Sequence, residues 1–198
     1  MATLGQLTDV IAAVEGIDRE RVHAIARAVR EAGLIATRGR GTSAARMTGA
    51  DAANLLIAVN VADTARGAPE AVELYRRLAA RAKTRTTEFG IEFENMILAA
   101  QTNTVPEYVA DLARFLPKRT RFLWDRFEAQ EYRIGIEFNK PVPAIVMSFG
   151  RRSLGKPEFV TFDQRGDRAA HVEGGDRIER TTITQRTIFA IGRLLGQK

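Results

Sequence analysis

The stretch Leu7–Thr48 reads LTDVIAAVEGIDRERVHAIARAVREAGLIATRGRGTSAARMT. Leu7, Val10, Ile11 and Val14 recur at helical spacing, which predicts a first helix over Gln6–Glu15. Gly16 suits the left-handed backbone that closes a helix, and Ile17 supplies an apolar pivot for the turn. Asp18 is placed to cap a second helix over Arg19–Ala32, because its carboxylate can accept from unpaired backbone N–H groups. Arg21 stands where a full capping box would carry Glu or Gln. Val22, Ile25, Ala26 and Val29 form the inward stripe of this helix, with Arg19, His23, Arg27 and Arg30 on the other side. Gly33 ends it, and Leu34-Ile35 can plug the core. A loop follows over Thr37–Met47 with two glycines, the arginines Arg38, Arg40 and Arg46, and no acid.

Helix, turn, basic helix and basic loop are the parts of a DNA reader. A groove-facing helix presents side chains from its N-terminal part. Arg19, Arg21, His23 and Arg27 occupy that part, and Arg30 extends the row. Arginine can reach guanine with two hydrogen bonds or hold phosphate. Arg38, Arg40 and Arg46 would meet the backbone or the minor groove from the loop. The segment GIDRERVHAIARAVREAGLI, with its basic loop ending in Met47-Thr48, resembles the winged helix-turn-helix of bacterial regulators of the MarR and IclR type. The resemblance covers residues 7–48 and implies double-stranded DNA as partner and a homo-oligomer as the working form. One departure stands out. Only about six residues precede the first helix, so the helix expected ahead of the motif is missing, and Gly49–Ala65 is expected to pack in its place. Segments such as MTGADAANLLIAV and TTITQRTIFAIGRLL look like proteins carried by prophages. That resemblance keeps open a phage DNA-packaging protein similar to a small terminase subunit. A winged-helix adaptor that binds protein instead of DNA is the third reading.

Beyond Thr48 the chain predicts further helices. Gly49–Ala65 is apolar over a wide arc and should be central. Glu70–Ala82 has Val72, Tyr75 and Leu78 inward and a basic outer side. Phe89–Ala100 fits a helix better than a strand, because its apolar pattern continues to Ile97, and Pro106–Leu116 is another helix. Past Pro117 the period becomes two: Tyr132, Ile134, Ile136 and Phe138 alternate with polar residues or glycine and predict a half-buried strand. Pro141–Phe149, Phe159–Phe162 and Ala169–Val172 are three more strand candidates. Thr182 and Gln185 can cap a closing helix over Ile183–Leu195. The expected fold class is therefore α+β, with a helical N-terminal half and an antiparallel sheet packed by a final helix. The expected divisions are 1–66 for the DNA-binding part, 67–117 for a helical oligomerisation segment, and 118–198 for a small α/β domain.

Composition excludes several classes. At 45% hydrophobic and 27% charged the chain has the balance of a folded protein, not a disordered one. The absence of cysteine removes disulfides, thiolate zinc sites and cysteine nucleophiles. His23 and His171 are the only histidines, and no metal-ligand spacing, phosphate loop or nucleophile elbow appears. Neither an enzyme nor a metal or cofactor site is expected. There is no leader pattern and no membrane-length apolar run, so a cytoplasmic protein without a membrane partner is expected. The net charge of +6 favours a polyanion partner.

Overall fold

The computed structural model describes residues 2–37, 45–80, 91–99, 102–118, 132–152, 155–164 and 177–196. Among these the chain is α+β, with seven helices and one five-stranded antiparallel sheet. The helices are α1 (Leu4–Glu15), α2 (Arg19–Glu31), α3 (Gly49–Val61), α4 (Ala68–Arg76), α5 (Ile91–Ala99), α6 (Val105–Lys118) and α7 (Gln185–Gly196). The strands are β1 (Ala79–Ala80), β2 (Tyr132–Lys140), β3 (Ala144–Arg151), β4 (Glu158–Asp163) and β5 (Glu179–Thr184).

Local chemistry accounts for the first two helices. Thr3 and Gln6 close a capping box at the start of α1: Gln6 N donates to Thr3 Oγ1 and Thr3 N donates to Gln6 Oε1. Gly16, at φ +68°, lets Ile17 N reach back to Ala12 O and stop the helix. Asp18 then caps α2 by accepting from Arg21 N at 2.8 Å. At the other end Gly33 N bonds Arg30 O and Leu34 N bonds Val29 O, the paired closure that turns the chain inward. Ile35 is buried just beyond.

α3 is the centre. Every residue from Asp51 to Val61 is buried. It packs against α2, α4, α6, α7 and the inner face of β2. α1 packs on α2 and on α7. The expectation that Gly49–Ala65 supports the first two helices therefore holds for α2, whereas α1 takes its support from outside the pair chiefly from α7. The buried apolar side chains belong to one cluster that runs from Ala2 to Ile191 and crosses residues 66 and 117.

The sheet runs in the order β1-β4-β3-β2-β5, antiparallel throughout. Alternation puts Ile134, Ile136 and Phe138 of β2 beside Ile145, Met147 and Phe149 of β3 on the helix side. Val160 and Phe162 of β4 continue that face, and the Phe162 ring meets Tyr108 of α6 at 5.8 Å between centroids. Tyr75 of α4 donates from its hydroxyl to Asn139 O, tying the helical layer to the end of β2.

Several boundaries differ from the sequence expectation. α3 ends at Val61, not Ala65, because Ala62 turns to extended backbone. α4 spans Ala68–Arg76 instead of Glu70–Ala82, because the chain straightens to pair Ala79 and Ala80 with Asp163 and Phe162. Thr182 does not cap the closing helix. It lies inside β5, a strand the sequence reading missed, whose run of β-branched residues pairs with β2. Gln185 opens α7 and accepts from Ile134 N at 3.1 Å, a bond to the sheet instead of a cap. The strand expected over 169–172 lies outside the described residues.

Gly49 lies so close to α6 that a Cβ there would sit 2.8 Å from the Ala110 Cβ. Gly49→Ala should therefore lower stability by about 1–3 kcal/mol, although alanine favours helices. Adding Ala110→Gly should recover part of the loss, and thermal unfolding of the two single variants and the double variant measures the coupling.

Candidate nucleic-acid interface

α2 buries Val22, Ile25, Ala26 and Val29 and leaves Arg19, His23, Arg27 and Arg30 exposed along one edge. Period and burial agree here, so the sequence spacing located this row correctly. Two of the three arginines, Arg19 and Arg27, are not free cations, however. Asp9 of α1 grips Arg19 with both oxygens, Nε to Oδ1 at 2.6 Å and Nη2 to Oδ2 at 2.9 Å. The same Oδ1 is 3.0 Å from His23 Nε2. Thr8, fully buried beneath, donates to Gly5 O and lies 3.3 Å from His23 Nε2. Arg19, then His23, hold the Asp9 carboxyl below its ordinary range, and Asp9 in turn raises Arg19. Arg27 pairs with Glu31 one turn on, Nε to Oε1 at 2.9 Å. The ion-paired groups are substantially exposed, so water and salt screen them and their effect is on orientation more than stability.

Arg21 is directed elsewhere. Its guanidinium donates from Nη2 to Ala62 O at 2.9 Å, at the end of α3. It fastens the start of α2 to the core and does not join the exposed row. Arg46 is exposed between buried Ala45 and buried Met47, and Met47 N bonds Ala2 O at 3.0 Å. Arg38 and Arg40 lie outside the described residues.

The two ends of the segment that carries Arg38 and Arg40 are held by one side chain. Asp51, in the first turn of α3, accepts from Ala36 N at 2.9 Å through Oδ1. Its Oδ2 accepts from Thr48 N at 2.8 Å and from Thr48 Oγ1 at 2.7 Å. Asn54, one turn later, donates to Leu34 O at 2.8 Å. A buried carboxylate needs such donors around it, and three of them here come from the limbs that enter and leave the loop. The sequence contains half of this signal. Thr48 and Asp51 have capping-box spacing, but nothing along the chain links Asp51 to Ala36. Asp9 was likewise missed, because its partners lie ten and fourteen residues away on the next helix.

No protein family, no curated protein and no solved structure matches this chain. Among the described residues no three His, Asp or Glu side chains gather where a metal ion could be held. No described helix is long and apolar enough to cross a membrane. What the arrangement can do chemically is present guanidinium groups and an imidazole on a rigid helix edge, with a basic loop anchored nearby on α3.

Asp51→Ala removes the acceptor for three donors at once. It should lower stability by about 2 kcal/mol or more in urea denaturation, since stranded donors are costly. It should also speed tryptic cleavage at the arginines between Ala36 and Thr48 relative to the native protein.

Proposed function

We propose that this protein binds double-stranded DNA through a winged helix-turn-helix, with α2 as the groove-facing helix and the 37–47 loop as the wing. The most direct role is a sequence-specific transcriptional regulator acting as a dimer or higher oligomer in the cytoplasm. The observation that carries the reading is the exposed edge of α2, where Arg19, His23, Arg27 and Arg30 line up beside a completely buried apolar edge. Arg19 is 68% exposed yet clamped by Asp9, so its direction is set in advance and its remaining N–H groups can take a guanine edge or a phosphate. The three-residue turn Gly16–Asp18 brings α1 and α2 together without slack. Asp51 fixes the ends of the loop that carries Arg38 and Arg40. A monomer of this size offers few phosphate contacts, and a two-fold dimer would read half-sites about one helical turn apart.

One observation favours a second reading, a protein-binding adaptor without DNA. Asp9 pairs with Arg19 and His23, and Glu31 pairs with Arg27, while Glu20 is exposed on the same helix. The edge is thus close to charge-balanced, which weakens attraction to a polyanion.

Fluorescence anisotropy with a labelled mixed-sequence duplex separates the two. DNA binding should be measurable at about 50 mM salt and at least tenfold weaker at about 200 mM. Arg38→Ala with Arg40→Ala should weaken binding to all sequences and flatten that salt dependence, whereas Arg19→Ala or Arg27→Ala should relax sequence preference. No binding at low salt rejects the DNA reading and leaves the adaptor.

A further inference from the structure

Glu15 is the last residue of α1, and its side chain lies against the last turn of α3. Asn60, only 8% exposed, donates from Nδ2 to Glu15 Oε2 at 3.2 Å and to Leu56 O at 2.9 Å. A backbone carbonyl can only accept, so Leu56 O fixes which end of the amide is the amino group. Two buried atoms are then left without a hydrogen-bond partner: Glu15 Oε1 and Asn60 Oδ1. With Glu15 ionised both are acceptors and neither can serve the other. The charge also sits at the negative end of the α1 dipole. With Glu15 protonated, Oε1 becomes a hydroxyl donor, and the oxygen that lacks a donor belongs to the amide already bound to Oε2. An acid and an amide so placed close a ring of two hydrogen bonds, N–H to Oε2 and O–H to Oδ1, which satisfies both orphaned atoms.

We propose that Glu15 and Asn60 form a proton-dependent lock between α1 and α3, held by two hydrogen bonds when Glu15 is a carboxylic acid and by one when it becomes a carboxylate. Burial pushes the Glu15 carboxyl up to about 7, opposed in part by the amide of Asn60. Among the described residues no charged neighbour sets this value. On α2, Arg19 and His23 are engaged by Asp9, and Arg21 by Ala62 O. Asp63, just after α3, is held by Lys140. Asp18 caps α2 in the intervening turn, and Arg186 and Arg193 stand on α7, which also packs on α1. None of these acts on the Glu15 carboxyl, which among the described residues answers to burial and Asn60.

The sign follows from linkage. The folded chain holds a proton on Glu15 that an unfolded chain releases at lower pH. Stability is therefore fully present below the ordinary carboxylate range and falls as pH rises through about 7, then levels off. The lock rests on the hydrogen-bonded contact between Glu15 and Asn60 and stands apart from whether α2 meets DNA.

A carbon-13 NMR titration of the native protein, with the Glu15 carboxyl assigned by its loss in Glu15→Gln, reads the proton directly. The expected midpoint is about 7, and a midpoint in the ordinary carboxylate range overturns the proposal. Thermal unfolding supplies the second measurement. Glutamine reproduces the ring, its amino group facing Asn60 Oδ1, so Glu15→Gln should match the native protein at about pH 5 and unfold at higher temperature than it at about pH 8. Glu15→Leu has the bulk without the bonds and should unfold below Glu15→Gln at both. Equal stability of Leu and Gln at position 15 would show that the paired hydrogen bonds contribute nothing and would remove the lock.

Discussion

From Asp51 to Val61 helix α3 has no side facing water, and the rest of the structure follows from that constraint. A helix apolar around its whole circumference can be stable in solution only when other elements cover every side. Here α2, α4, α6, α7 and β2 do so. Leu55, Leu56, Ile57 and Ala58 are essentially fully buried, and each large one contributes about 1.5–3 kcal/mol of transfer free energy. The three polar residues within this core, Asp51, Asn54 and Asn60, cannot be left bare. Each bonds a segment that apolar contact alone would not place: the loop stems at Ala36 and Thr48, the α2 exit at Leu34, and the α1 terminus at Glu15. Apolar burial gathers the helices, and polar satisfaction sets where their ends sit.

Much of this was legible along the chain wherever one local rule decided the outcome. The 3.6-residue period and the caps at Asp18 and Thr48 located α2 and α3, and the alternation from Tyr132 to Phe138 located β2. The wide apolar arc after Gly49 correctly marked a central helix. The losses came where a distant partner overrides a local signal. β1 has two residues, too few to show any period, and exists only because β4 offers a ladder. The Thr182–Gln185 spacing is a sound capping signal on its own, yet Thr182 sits opposite Glu137 in the sheet.

The candidate interface shows the same division. Helical spacing placed Arg19, His23, Arg27 and Arg30 on one edge, because periodicity alone determines which residues share a face. It could not tell what each guanidinium binds. Arg21 lies two residues from Arg19, but a rotation of some 200° around the helix sends it to the α3 carbonyl end. The Glu31 partner of Arg27 was readable from its i, i+4 spacing, whereas Asp9 belongs to a different helix. A count of basic residues therefore overstates the field of this surface, and the pairing pattern describes it better.

The packing of α1 on α7 has a bearing on how the chain is made. α1, with Leu7 and Ile11 fully enclosed, emerges from the ribosome early, while α7, which packs on it, is synthesised far later. Until then the first helical pair has its loop clasp and its seat on α3 but exposes an uncovered apolar strip. Domains usually fold as units during synthesis. Here completion at the N-terminal end waits for the last described helix, and contacts of such long sequence separation slow folding. A nascent chain held at any length short of α7 would present that strip to chaperones.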